Sequence, residues 1–185
     1  MALAADDVLK GATLDFKDKQ ELLMQVARVM QEGGRGLAAN LISEEDLEGT
    51  LAAGLQRYPG LRPERAARAL IAQLRGRNFM LCSVGGTNYA FVHLTFLEYF
   101  CACELRFRFE QQQTLTLEDV KTQLYGPHWR DETWQEVLCL QAGMLAPRFQ
   151  REILAFLLER KDLDQTCLHV FLAAVVWATH DSEPS

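Results

Sequence analysis

The stretch FMLCSVGGTNYAFV, residues 79–92, decides the fold that we predict for this chain. Two short apolar runs, residues 79–84 and 89–92, flank the turn sequence GGTN, and this spacing predicts a β-hairpin. It is the only β structure that the sequence predicts, because apolar residues elsewhere recur at helical spacing. A lone hairpin is marginally stable in water, so it must pack on helices, with Tyr89 and Phe91 as its expected anchors.

Three predicted helices precede the hairpin. The first runs from about Lys17 to the glycines at 33–36, and the second begins at Ser43, which can cap a helix whose first turn is acidic. The third begins near Pro63, a residue that suits a first helical turn. The expected inward residues are Leu22, Leu23, Val26, Ala27, Val29 and Met30 in the first helix, Leu47, Leu51 and Leu55 in the second, and Ala66, Ala67, Leu70, Ile71 and Leu74 in the third.

The chain after the hairpin is predicted to be entirely helical. A long helix runs from about Leu94 to Phe109, and Phe96, Phe100, Cys103 and Phe107 are expected on one face of it. Further helices are predicted at 116–125, 132–144, 147–160 and 163–178, with prolines between them. The fold class is therefore mainly α: a winged helix, three helices plus a hairpin wing, followed by a helical, HEAT-like bundle. The expected divisions are a lead-in at 1–17, the winged helix with its following helix at 18–110, the bundle at 111–180 and a tail at 181–185.

Composition excludes several classes of protein. The chain has 185 residues, 24% of them charged, and a net charge of -6, which is typical of a globular domain and unfavourable for wholesale binding of polyanions. No apolar run reaches the roughly 18 residues of a membrane span, and the N-terminus does not resemble a signal peptide. The five cysteines are expected to be reduced core thiols, so we predict a cytoplasmic protein.

The sequence shows no catalytic or metal-binding motif. The four histidines, His93, His128, His169 and His180, are scattered, and no CxxC pair occurs. The glycines at 33–36 are not followed by Lys-Ser or Lys-Thr, so they do not form a phosphate loop. We therefore expect no enzyme activity, no metal and no cofactor in this chain.

Residues 89–102, YAFVHLTFLEYFCA, resemble a known signature. They are similar to the Phe-x-His-x-x-Phe-Gln-Glu-Tyr-x-Ala motif at the end of the winged-helix domain in NACHT-type NTPases, which belong to the STAND class of signalling ATPases. Leu97 replaces the usual Gln, and Cys101 a small or apolar residue. Residues 19–30 and 128–145 also resemble segments of that family, so the likeness covers about 17–145. The matching positions are Phe91, His93, Phe96, Glu98, Tyr99 and Ala102.

The resemblance implies a regulatory and non-catalytic role. In that family an N-terminal domain carries the phosphate loop and the Mg²⁺-binding acids, and this sequence has neither. The resemblance thus implies a C-terminal portion that binds a NACHT nucleotide-binding domain, in cis or in trans, with ADP or ATP held only by that domain. His93 is implied to reach the β-phosphate of ADP and hold the resting state until activation, in a pathway of signalling or defence.

The residues themselves leave other interpretations open. From its position alone, His93 is a partly buried histidine that closes the wing against its helix, and Phe96, Tyr99 and Phe100 are core residues. Trp129 and Trp134 are expected to pack between the winged helix and the helical array, and the cysteines to fill the core. An apolar last helix favours a scaffold that self-associates or binds another protein.

A basic face favours a third function, DNA binding. Residues 56–108 contain eight arginines and three acids, a net charge of +5. Four of the arginines share one side of the third predicted helix, the helix that enters the major groove in DNA-binding winged helices. The candidate face for DNA or a partner protein consists of Arg62, Arg65, Arg68, Arg75 and Arg77.

Overall fold

A computed structural model describes residues 14–33, 40–76 and 80–159 of the chain. Over these ranges the protein is mainly helical with a small antiparallel sheet, which confirms the mainly α prediction. The chain divides into two compact units, one ending at Cys101 and one beginning at Ala102. The predicted helix at 163–178, the tail at 181–185, most of the lead-in at 1–17 and Arg77 lie outside the described residues.

Three helices build the first unit: α1 (Phe16–Gly33), α2 (Glu44–Leu55) and α3 (Pro63–Gly76). The predicted start of α2 is confirmed, because the Ser43 hydroxyl accepts the backbone N–H of Asp46 at 3.0 Å. Every residue predicted to face inward from α2 and α3 is buried. In α1 the prediction is wrong for Val29, which is 40% exposed because it lies at the edge of the buried stripe.

The sheet has three strands, β1 (Ile42–Ser43), β2 (Leu81–Ser83) and β3 (Asn88–Phe91), in the order β1-β3-β2. The predicted hairpin is β2–β3, and its anchors Tyr89 and Phe91 are buried as expected. The prediction that the hairpin is the only β structure is wrong, because β1 pairs antiparallel with β3. A two-residue strand beside a helix cap is too short to show the alternation by which strands are recognised.

Helix α4 (Leu94–Glu110) crosses from the first unit into the second. The predicted boundary between domains, at 110 and 111, falls at the end of this helix, whereas the two units divide inside it. The predicted inward face is wrong for Phe96, which is exposed, and right for Phe100, which is buried. Apolar residues occur on nearly every side of α4, so their spacing alone does not select the inner face. The other buried residues of α4 are Leu97, Cys101, Ala102, Glu104 and Leu105.

The second unit continues with α5 (Leu117–Asp119), a π-helix (Val120–Tyr125), α6 (Gly126–His128), α7 (Glu132–Met144) and α8 (Pro147–Leu158). Thr116 and Asp119 form a capping box that starts the first of these turns. Pro127 was expected to separate helices but lies within a continuing helical run. It is tolerated there because it lies in the first turn of α6, a position that suits a residue without a backbone N–H.

Polar side chains hold the helices of the second unit together. The buried Tyr125 hydroxyl donates to the Leu138 carbonyl at 3.0 Å, and burial raises the pKa of this phenol well above its ordinary value. The Gln150 amide donates to the carbonyls of Ala142 and Leu145, at 3.0 and 2.9 Å, and so satisfies the C-terminal end of α7.

Candidate functional site

His93 lies between the end of β3 and the first residue of α4. Its carbonyl accepts the N–H of Phe96 at 3.0 Å, so its backbone opens the helix. The imidazole is exposed, and its centroid lies 5.9 Å from that of the Phe96 ring. The alternative in which His93 is partly buried between the wing and the helix is therefore wrong.

Large apolar side chains surround this histidine in sequence and remain exposed. Val92 is 41% exposed, Leu94 48%, Phe96 37% and Tyr99 42%. We name these four residues together with His93 the His93 surface. The expectation that Phe96 and Tyr99 belong to the core is wrong, whereas it is confirmed for Phe100. Large hydrophobic side chains that are close in sequence and remain exposed are candidates for a surface that binds another macromolecule.

Strand β3 packs against α4 next to the His93 surface. The Phe91 ring is 1% exposed and lies 5.9 Å from the Phe100 ring, centroid to centroid, which joins β3 to α4. The Asn40 side chain holds the Phe91 backbone from the other side: its amide nitrogen donates to the Phe91 carbonyl at 2.9 Å, and its oxygen accepts the Phe91 N–H at 3.0 Å. Asn40 could not be identified from the sequence, since no periodicity or motif marks it.

The arginine face differs from the expected uniform basic surface. Arg68 forms an ion pair with Glu48, in which the Nε–H is shared between the two carboxylate oxygens at 2.8 and 2.9 Å. That hydrogen bond raises the Arg68 pKa above its ordinary value. The Arg75 guanidinium lies 5.6 Å from the centroid of the Tyr89 ring, and the Tyr89 hydroxyl donates to Glu44 at 3.2 Å. Two of the four described arginines are thus engaged with groups on neighbouring elements.

A groove of about 730 Å³ lies between α2 and α3 beside these arginines. Four glutamates and one arginine line it, together with small and polar residues. The charge of its walls is therefore opposite to the charge that a nucleic-acid surface needs. Arg62 and Arg65 remain exposed at the start of α3. The charged lining residues are Glu44, Glu45, Glu48, Glu64 and Arg68.

The other candidate residues have structural positions. Trp129 and Trp134 are buried, and the His128 ring stacks on Trp134 at 4.2 Å. No disulfide joins the four cysteines of the described ranges, and Cys82, expected in the core, is exposed. Within those ranges no three His, Cys, Asp or Glu side chains are grouped so as to hold a metal ion. A search of the same ranges finds no helix whose length and apolar character would allow it to cross a membrane.

Comparisons of this chain with protein-family models, curated proteins and solved structures give no match. We therefore describe its class by the fold and the His93 surface alone. It is a mainly helical protein with a small three-stranded sheet, and it presents a histidine among exposed apolar side chains where the sheet meets a long helix.

Proposed function

We propose that this chain is a non-catalytic regulatory region of a NACHT-type STAND NTPase, and that its first unit is a winged helix. The element order supports the second part: α1, β1, α2, α3, β2 and β3 follow one another, and β3 lies between β1 and β2 in the sheet. A winged helix has its elements in this order, with the wing at the turn between the last two strands, so the element order favours this proposal. The second unit, with its short paired helices, is proposed to begin a HEAT-like array.

The exposure of His93 is the observation that carries the functional proposal. A nucleotide-binding domain that docked on the His93 surface would cover its apolar side chains and bring a phosphate to the imidazole. A protonated histidine can donate a charge-assisted hydrogen bond to a phosphate oxygen. The N-terminal end of α4 lies beside it, and the partial positive charge of a helix N-terminus favours an anion there.

The proposed role is conformational. With ADP bound, the His93 contact and the apolar interface hold the nucleotide-binding domain in its resting state. Exchange of the nucleotide removes the phosphate contact, and the winged helix then rotates away as a unit. The chain itself performs no chemical step in this scheme.

The test begins with the reading frame upstream of Met1. If it encodes a nucleotide-binding domain, the two parts are purified together, and ADP dissociation is followed with a fluorescent ADP analogue. We expect His93→Ala to accelerate ADP release by about 10- to 100-fold, since a hydrogen bond to a charged group contributes about 1.5–3 kcal/mol. Asn88→Ala, at an exposed position on β3, is the control. An unchanged ADP release rate in His93→Ala would refute the proposal.

DNA binding is the weaker alternative. It rests on Arg62 and Arg65, while Arg68 and Arg75 contact groups on α2 and β3 and the adjoining groove is acidic. A mobility shift with duplex DNA at low salt, abolished by Arg62→Glu with Arg65→Glu, would favour it. A protein-interaction scaffold is compatible with the main proposal, and the oligomeric state of the purified chain tests for self-association.

A further inference from the structure

We infer that Asn40 is a positioning residue for the His93 surface. Its two hydrogen bonds to Phe91, which we name the Asn40 clamp, tie the segment that leads into α2 to the backbone two residues before His93. A displacement of that segment is thereby passed to the histidine. The part of this inference that concerns nucleotide release rests on the proposed function, and the part that concerns the position of His93 does not.

The clamp completes a continuous antiparallel pairing. Ile42 is paired with Tyr89 and Ser43 with Asn88, and the Glu44 N–H donates to the Thr87 carbonyl at 2.7 Å. In the same register Asn40 lies opposite Phe91. There the bonds are made by the side-chain amide, which offers both a donor and an acceptor, as a backbone peptide group would.

The position of the clamp gives it control over His93. Beyond Phe91 the chain makes one more sheet-like bond, from the Val92 N–H to the Met80 carbonyl at 3.1 Å, and then turns into α4 at His93. Among the described residues, the clamp is the hydrogen-bonded tie between the segment at 40–44 and β3 that lies nearest to His93. Because it lies at the end of the ladder, it opens before the pairs at 42–44 when the segment is pulled away.

The first experiment uses the full chain alone and measures amide hydrogen exchange and backbone NMR shifts. In Asn40→Ala we expect exchange of the Phe91 amide to accelerate by about tenfold or more, and the amide signals of residues 92–96 to shift. Asn40→Asp keeps the acceptor for the Phe91 N–H but loses the donor, so its effect should be intermediate. Asn88→Ala is the matched control, because Asn88 is an exposed asparagine on β3, the strand that also carries Phe91.

Two results would overturn the inference. One is an Asn40→Ala variant whose Phe91 exchange and 92–96 signals equal those of the wild type. The other is a uniform acceleration of exchange throughout the first unit, which would mean that Asn40 contributes stability without positioning His93.

A second experiment uses the chain bound to its nucleotide-binding domain and a double-mutant cycle. We expect Asn40→Ala to accelerate ADP release, and the double variant with His93→Ala to release ADP no faster than His93→Ala alone. If only His93→Ala changes the rate of ADP release, the inference that Asn40 positions His93 is wrong and the proposed function is supported. If neither variant changes that rate while the signals of residues 92–96 still shift in Asn40→Ala, the positioning role of Asn40 is supported and the proposed nucleotide function is wrong.

Discussion

The contact between α1 and α2 depends on a glycine, and a pair of substitutions in α2 can measure it. A Cβ atom added at Gly54 would lie 2.4 Å from Leu22 Cδ2 and 2.6 Å from Gln25 Oε1. Real Cβ atoms do not approach other heavy atoms so closely, so a side chain or the helix must move. The Gln25 side chain is partly exposed and can turn away, whereas Leu22 is fully buried and has no free space to enter.

The expected energy follows from two opposing terms. Replacing Gly by Ala inside a helix stabilises the folded state by up to about 1 kcal/mol, and overpacking a core contact costs about 1–3 kcal/mol. Gly49 supplies the matched control, because it lies in the same helix and an added Cβ there meets nothing within 4 Å. Gly49→Ala should therefore stabilise the protein, and Gly54→Ala should be less stable than Gly49→Ala by about 1–3 kcal/mol.

Urea unfolding followed by circular dichroism measures both variants. In a chain of this size the difference corresponds to roughly 2–4 °C in Tm per kcal/mol. Equal stability of Gly54→Ala and Gly49→Ala would show that α1 and α2 are not packed as closely as the structure places them. If Leu22→Val restores the stability of Gly54→Ala, the Leu22 side chain is the group that clashes with the added Cβ atom.

Three further predictions concern single residues. The Tyr58 hydroxyl donates to Asp18 at 2.6 Å, and this hydrogen bond lowers the Asp18 pKa below its ordinary value. The stability that the hydrogen bond contributes is present above the unfolded-state pKa of about 3.9 and is lost as the pH falls through the folded-state pKa. Tyr58→Phe should therefore lower the free energy of unfolding by about 1 kcal/mol at pH 7 and by less in acid. Urea unfolding at several pH values would measure this difference. Gln113 has a φ of 55°, a left-handed conformation that glycine adopts without steric cost. Gln113→Gly should therefore raise the free energy of unfolding by about 1 kcal/mol, while Gln112→Gly should not. A loss of stability in Gln113→Gly would contradict the left-handed conformation. Burial raises the pKa of Cys139 to about 11, and mass spectrometry after brief iodoacetamide treatment near pH 8 should find the exposed Cys82 alkylated and Cys139 unmodified; equal labelling would show that Cys139 is accessible.

Much of the first unit could be predicted because its helices have one apolar face. In α2 the four-residue spacing of Leu47, Leu51 and Leu55 places all three on one face of the helix, and all three are fully buried. The hairpin could be predicted because two glycines with positive φ, Gly85 and Gly86, form its turn. In both cases the local sequence alone determines the local structure.

The features that the sequence did not predict correctly have a different physical origin. Helix α4 is apolar on nearly every side, so its buried face is selected by the elements packed against it and not by its own period. Strand β1 exists because β3 is beside it, and Asn40 matters because Phe91 lies opposite. These features depend on residues far apart in the sequence, and a period or a motif read along one segment contains no information about them.

The residues that resemble the NACHT motif differ in their burial, and Glu98 among them is half-buried. Phe91 and Ala102 are buried, and Leu97, where the family has Gln, is fully buried as well, so an apolar residue suits that position. His93, Phe96 and Tyr99 are exposed. Phe96 and Tyr99 are 37% and 42% exposed, so part of each ring is open to a partner. Apolar side chains that a partner can cover, with one histidine able to meet an anion, are what the proposed docking surface requires. The exposure of these three side chains agrees with our proposal of a partner at the N-terminal end of α4.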